Sequence, residues 1–427
     1  MLIGLLTGGT RGDIQPFVAL GVGLKEAGYN VRVIAPRNFR GLAEAYGLEF
    51  VPLAIDIEAM MRGDAAGSNL MLSGRNPIRL VKSVRDLMKP FTMETIESLQ
   101  SALDGVDFTV MHVVISNMGI TACDRINIPY ALASPAPTVP TGAHPFSAWP
   151  FHTSLGKIYN RLTGWLFMFM FWQVFRRGVN TLRERYGLKR HRFRDLWEIY
   201  RTAPSYMAIS PTFYERPADY PDSAHVPGYW ILPALNKWQP PDDLVEFINA
   251  GKPPIYAGFG SMVPQNQEQI VQAVIDFFNI SGERGLIYRG WADLHPDQVP
   301  DNVKLIDSVP FEWLFPQMKA VIHHGGAGTT AAGVRAGVPS VIVPFIADQP
   351  FWGRLIYKQR IGSWHIPAKR LNGQRLAKAV RFATQPHIQA NAAAMGEAVR
   401  AEDGITQTIQ LIEQHLDPTS QSVASVP

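Results

Sequence analysis

Ala320-Val321-Ile322-His323-His324-Gly325-Gly326-Ala327-Gly328-Thr329-Thr330 is a short apolar run that breaks into glycines and restarts as a helix through Ala331 and Ala332 to Arg335. Glycines let the backbone approach a ligand closely, and the first N–H groups of a helix point outward with roughly half a positive charge behind them. Such a turn suits an anion, and a pyrophosphate would be stabilised there without a metal. His324, Thr329 and Thr330 could add side-chain donors; the plainer reading is a tight strand-to-helix turn with no ligand. The spacing is neither the GxxxxGK[ST] of a P-loop nor a GxGxxG dinucleotide fingerprint, so kinase and dehydrogenase readings lose ground.

Outward from this turn the same rhythm repeats. Pro254 to Gly258, Gly285 to Tyr288, Val303 to Ile306 and Ser340 to Val343 are further strand candidates separated by helical stretches. In the first half Leu2 to Leu6, Val31 to Ala35, Leu48 to Pro52, Phe108 to Ile115 and Tyr130 to Ser134 alternate with helix-like segments, one of them Phe17 to Ala27. This is the pattern of βαβ units with parallel sheets. At 427 residues the chain exceeds the ~250–300 at which single cores stop growing, so two α/β domains are expected. Their boundaries are placed at residues 1–212, a linker rich in proline, tryptophan and tyrosine at 213–241, a second domain at 242–400, a closing helix at 401–416 and a flexible tail at 417–427.

Charged residues make up 18% and hydrophobic ones 46%, a balance that allows a full core. The net charge of +4 comes without a dense Lys/Arg block, which argues against a nucleic-acid partner. Cys123 is the single cysteine, so no intramolecular disulfide forms, no Cys-based metal site is expected and a reducing, cytoplasmic location fits best.

Two further stretches fall at carboxyl ends of strands, where open α/β sheets bind ligands. In Pro344-Phe345-Ile346-Ala347-Asp348-Gln349-Pro350-Phe351-Trp352-Gly353, Asp348 and Gln349 offer adjacent acceptors and donors suited to sugar hydroxyls, or else Asp348 is a helix N-cap. In Gly8-Gly9-Thr10-Arg11-Gly12-Asp13-Ile14-Gln15-Pro16, Asp13 can serve as a general base towards a hydroxyl, or again as an N-cap. Trp165 to Phe175 is almost wholly apolar, too short to cross a bilayer, and is either core or a contact surface for an acceptor or a membrane.

Together these blocks resemble glycosyltransferase family 1, and within it the sterol 3-beta-glucosyltransferase branch and related bacterial natural-product glycosyltransferases. The likeness runs from about Thr7 to about Ala383 and includes Gly251-Lys252-Pro253-Pro254-Ile255-Tyr256, Gly258-Phe259-Gly260-Ser261-Met262, Gly290-Trp291 and Pro310-Phe311-Glu312-Trp313-Leu314-Phe315. The resemblance implies an α/β GT-B fold, two Rossmann-like domains facing a cleft, with acceptor on the first and nucleotide sugar on the second. It implies an inverting, metal-independent hexosyltransferase with no cofactor, its partners being a nucleotide-sugar donor and a lipophilic hydroxylated acceptor; peripheral membrane contact stays open from the Trp165 to Phe175 stretch alone. By position, Asp13 is the catalytic base; Ser261, Trp291, Val309, Trp313, His324, Gly326, Gly328, Thr329, Asp348 and Gln349 hold the donor. Trp165, Phe169 and Trp172 are assigned to the acceptor.

Three positions depart from the family: Ala332 replaces the acidic residue that plant relatives use on the ribose, Phe311 a histidine of the sterol branch, and Ala347 a glycine before Asp-Gln. The sterol branch also carries alanine at the first of these, which favours UDP-glucose over a dTDP-sugar. Rival readings are a nucleotide-sugar epimerase of the same fold and a noncatalytic nucleotide-sugar or lipid-binding partner.

Overall fold

Val, Ile and Leu dominate the short runs that the sequence offers as strands, and in the computed structural model these runs form sheets buried on both faces. The structure describes residues 1–53, 82, 85, 92–234, 238–260, 267–291 and 299–417. The chain divides into two compact units, Met1–Pro211 with Glu215–Leu232 and Asp403–Pro427, and Thr212–Tyr214 with Pro233–Glu402.

In the first unit seven parallel strands stand in the order β3-β2-β1-β4-β5-β6-β7. They are β1 (Leu2–Leu6), β2 (Asn30–Pro36), β3 (Glu49–Leu53), β4 (Phe108–His112), β5 (Tyr130–Ser134), β6 (Ser205–Met207) and β7 (Ala224–His225). Alternate residues of β1 serve opposite faces, as a period of two demands: Ile3 and Leu5 join a cluster with Phe17, Leu20 and Leu24, while Leu6 joins Leu103, Met118 and Trp172. The order reverses between β1 and β4, so the loops leaving these strands diverge and open a crevice at the carboxyl edge.

The first helix, α1 (Arg11–Glu26), begins six residues before the Phe17 at which the apolar run starts. Thr10 is extended and ties its backbone N–H to the Asp13 carboxylate, which fixes a helical first turn through Gly12; Pro16 then costs only the bond to the Gly12 carbonyl. Asp13 therefore belongs to the first turn of a helix rather than to a loop.

The segment expected as linker, 213–241, contributes β7 and Trp230 to the first unit. The closing helix, Gly404–Leu416, returns to α1: Ile409 and Ile412 share a cluster with Leu20 and Leu24, and Trp230 Nε1 donates to Thr408 Oγ1 at 2.8 Å. All but Asp417 of the expected tail lies outside the described residues.

In the second unit the parallel order is β10-β9-β8-β11-β12, formed by β8 (Ile255–Gly258), β9 (Gly285–Tyr288), β10 (Val303–Ile306), β11 (Ala320–His323) and β12 (Ser340–Ile342). The reversal here falls between β8 and β11. Among the described residues no helix is long and apolar enough to cross a membrane.

Ile412 is fully buried on the returning helix. Ile412→Ala is expected to destabilise the first unit by about 2–5 kcal/mol. Urea unfolding followed by hydrogen exchange should show the loss in α1 and the first sheet, with the second unit unchanged.

Candidate active site

At the reversal point of the first unit, Asp13 is held from one side. Its Oδ2 accepts the Thr10 backbone N–H at 2.8 Å and the Thr10 hydroxyl at 3.1 Å. The Thr7 hydroxyl donates to the Asp13 carbonyl at 3.1 Å. Gly9 has φ +131°, and a Cβ there would collide with the carboxylate, so glycine is required by both backbone and space. The other oxygen, Oδ1, lies 3.6 Å from Nε2 of His112, the last residue of β4, and the Asp13 side chain is 28% exposed. His112 was not legible as a site residue: a single histidine ending an apolar strand carries no local pattern.

At the reversal point of the second unit, three strand ends converge on His324. Gly260, which follows β8, has φ +69°, and a Cβ there would lie 3.1 Å from His324 Cε1. Gly326 faces the ring from within the turn, where a Cβ would lie 2.5 Å from Nε2. Phe345, which follows β12, lies parallel to the ring with centroids 6.5 Å apart. Gly325 (φ +88°) takes the chain past Ile342 into the helix α2 (Ala327–Ala336), with Gly326 as its N-cap. Thr330 N–H is the first to bond within the helix, to the Gly326 carbonyl at 2.9 Å, so the N–H groups of Ala327, Gly328 and Thr329 are left to the helix start. Burial lowers the His324 pKa to about 4 and that of His323 to about 3, so both rings are neutral at pH 7. His323 Nδ1 accepts the Gly325 N–H at 3.1 Å and shapes the turn.

Asp348 and Gln349 brace the neighbouring loop. Gln349 Oε1 accepts the backbone N–H groups of Phe345 at 2.7 Å and Ile346 at 3.1 Å, and Asp348 Oδ2 accepts the Trp352 indole N–H at 2.6 Å. Just before them Ala347 adopts φ 55°, the left-handed region that a glycine occupies without strain. Val309 and Trp313 follow β10 and are partly buried against Leu314 and Phe315; Trp313 meets the Trp238 ring edge-on at 5.3 Å. Ser261 and the Trp291 side chain lie outside the described residues.

The aromatic stretch belongs to one long helix, α3 (Lys157–Arg185), and its members separate. Trp165 is 40% exposed and stacks on Phe169, with Phe193 against both. Trp172, expected beside them on the acceptor, is 2% exposed and is a core residue packed with Val174, Phe175 and Met118. Helical spacing puts all three on one face, yet of the three only Trp172 joins the buried cluster that holds Met111 and Met118.

Two parallel-sheet Rossmann-like units, each with its polar site at the reversal point, define a GT-B type glycosyltransferase. Residues 3–155 match the glycosyltransferase family 28 N-terminal domain, and residues 292–414 the C-terminal domain of erythromycin biosynthesis protein CIII-like proteins. A sterol 3-beta-glucosyltransferase of Arabidopsis thaliana is 31% identical, over 97% of this chain and 68% of that one. The O-mycaminosyltylonolide 6-deoxyallosyltransferase of Streptomyces fradiae is 34% identical, over 97% of each. The crystal structure of the Streptomyces sp. SF2575 glycosyltransferase SsfS6 with thymidine diphosphate has the same fold, with a TM-score of 0.63, 18% identity and coverage of 97% of this chain and 99% of that one. The chain belongs to this glycosyltransferase family, with the sterol glucosyltransferases and the bacterial natural-product glycosyltransferases.

A left-handed alanine costs about 1–2 kcal/mol, and glycine's extra freedom in the unfolded chain returns about 0.4–1 kcal/mol of that. Ala347→Gly should therefore stabilise the second unit by on the order of 0.5–1 kcal/mol; a fall in its thermal midpoint would show that the strain is absent. His323, His324 and His365 are all held neutral, with pKa values of about 3, 4 and 4, lowered chiefly by burial. In the unfolded chain they titrate near ~6.5, so between roughly pH 4 and 6.5 the unfolded state binds more protons and stability drains away as pH falls. The urea midpoint should drop from pH 7 to pH 5, and drop less in His365→Gln.

Proposed function

We propose that the chain transfers glucose from UDP-glucose to a hydroxyl of a lipophilic acceptor, with inversion and without a metal. The observation that carries this reading is the divided Asp13 carboxylate: Thr10 occupies one oxygen, and the partly exposed side chain keeps the other for a proton. Asp13 takes the acceptor proton as the acceptor oxygen attacks the anomeric carbon opposite the leaving diphosphate. Its place in the first turn of α1, with Oδ2 tied to Thr10, leaves Oδ1 as the oxygen for a base to use.

On the donor side, the start of α2 receives the diphosphate through the Gly328 and Thr329 N–H groups, and Gly326 lets the phosphates approach. A neutral His324 donates one N–H without bringing a competing charge. Ser261, Trp291, Val309 and Trp313 hold the nucleoside, and Asp348 and Gln349 read the sugar hydroxyls, Gln349 while bracing the loop that carries Asp348. Ala332, partly buried against the core, supports UDP as the sterol branch does, whereas SsfS6 holds thymidine diphosphate.

The acceptor side is apolar. Phe151, Leu155, Ile158, Leu162 and Trp165 are exposed within one run of chain, Ile158 at 85%. Leu162 and Trp165 follow Ile158 at helical spacing, a stripe suited to a lipid alcohol and to the membrane surface that supplies one.

The test is UDP release from UDP-glucose with a panel of hydroxylated lipids and aromatics, with product masses, the anomeric configuration by NMR, and EDTA present or absent. A β-glucoside formed equally in EDTA supports every part of the reading; UDP binding without any adduct sinks it. Asp13→Asn should lower turnover by about 10²–10⁴-fold with donor affinity kept, and His324→Ala should weaken donor binding first. Turnover within a few fold of wild type in Asp13→Asn would remove Asp13 as the base.

A further inference from the structure

β1 and β4 are neighbours, with Leu6 paired to Met111, so Thr7 and His112 leave the sheet side by side. His112 is 2% exposed, its Nε2 has no hydrogen-bond partner, and its ring meets the Phe17 ring edge-on at 5.6 Å. Phe17 is one helical turn beyond Asp13, so one stretch of α1 supplies both the wall that fixes the imidazole and the carboxylate it faces. The Val114 backbone N–H points at Nδ1 from 3.4 Å. Nδ1 is thus the accepting nitrogen, and in the neutral ring the proton sits on Nε2, aimed at Asp13.

The Asp13 carboxylate offers about four lone-pair sites. Thr10 takes two on Oδ2. Oδ1 is left with one site for His112 and one for an incoming hydroxyl. At 3.6 Å the Nε2–Oδ1 contact is longer than a hydrogen bond, and a movement of about 0.7 Å closes it to the usual ~2.9 Å. Hydrogen bonds of this kind are commonly long in an unliganded enzyme and tighten with substrate.

We propose that His112 is the positioning residue for the catalytic carboxylate, donating Nε2–H to Asp13 Oδ1 so that the proton-accepting oxygen is aimed at the acceptor. This rests on the reading of Asp13 as the base. His112 does not touch the acceptor: it is sealed beneath Asp13 and acts through it. Burial holds the ring neutral against the pull of Asp13, the one charged group among the described residues that acts on it, so the contact is a neutral donor to a carboxylate. Removing that donor favours protonated Asp13, and activity is then lost at a higher pH.

Two variants and one spectroscopic measurement test this. His112→Phe should lower kcat by on the order of tenfold or more, leave the donor KM within about twofold and move the acid limb of the kcat profile to higher pH. His112→Gln, whose amide N–H reaches the region of Nε2, should restore the limb; thermal unfolding checks that both variants fold. Long-range ¹⁵N–¹H NMR of the intact protein should show His112 as the Nε2–H tautomer and its shifts should respond to Asp13→Asn. An unmoved acid limb in His112→Phe, a Gln variant no better than Phe, or an Nδ1–H ring indifferent to Asp13→Asn each overturns the proposal. A wild-type protein inactive with every acceptor would instead defeat the transferase reading, while the NMR result still decides whether His112 addresses Asp13.

Discussion

Parallel strands buried on both faces impose the constraint from which the rest follows. Each right-handed crossover returns over a helix, so every strand delivers its next loop and helix start to the same edge of the sheet. Where the strand order reverses, between β1 and β4 and again between β8 and β11, neighbouring loops part, and polar groups can stand there without breaking a ladder. Asp13 and His112 occupy the first of these places, and Gly260 and His324 the second. Glycine at residues 9, 260, 325 and 326 is the local cost of bringing backbone and side chain together so closely.

The two units use one device, a helix start at the reversal point, for complementary ends. In the first, a carboxylate sits on the start of α1, its Oδ2 held by the Thr10 backbone N–H and hydroxyl. In the second, the start of α2 leaves the N–H groups of Ala327, Gly328 and Thr329 outside the helical ladder, with neutral histidines beside it. Dehydration keeps those rings uncharged at neutral pH, and His323 shapes the turn by accepting the Gly325 N–H.

Much of this was legible in the residues themselves. Strands such as Tyr130–Ser134, Gly285–Tyr288 and Ala320–His323 stand where their apolar runs place them, because a strand covered on both faces needs nothing but bulk and branching. The glycine turns and their following helices were equally plain, since positive φ and close approach leave glycine little competition. The start of α1 was hidden because Gly12 and Pro16 look like loop residues until Thr10 and Asp13 are seen to close the first turn. Ala347 was visible as a departure from the family, but only its φ of 55° gives that departure a physical meaning.

The sequence by itself determined the alternation of strand and helix, the two-unit organisation and the chemistry offered at the turns, because these depend on local periodicity and on backbone freedom. Tertiary structure alone decided that Trp172 is core while Trp165 faces out, since both share a helix face and only the neighbours differ. It alone returned the closing helix to α1 and gave part of the expected linker to the first sheet. It also set His112 behind Asp13 across 99 residues of sequence, a pairing made by strand order rather than by any local pattern.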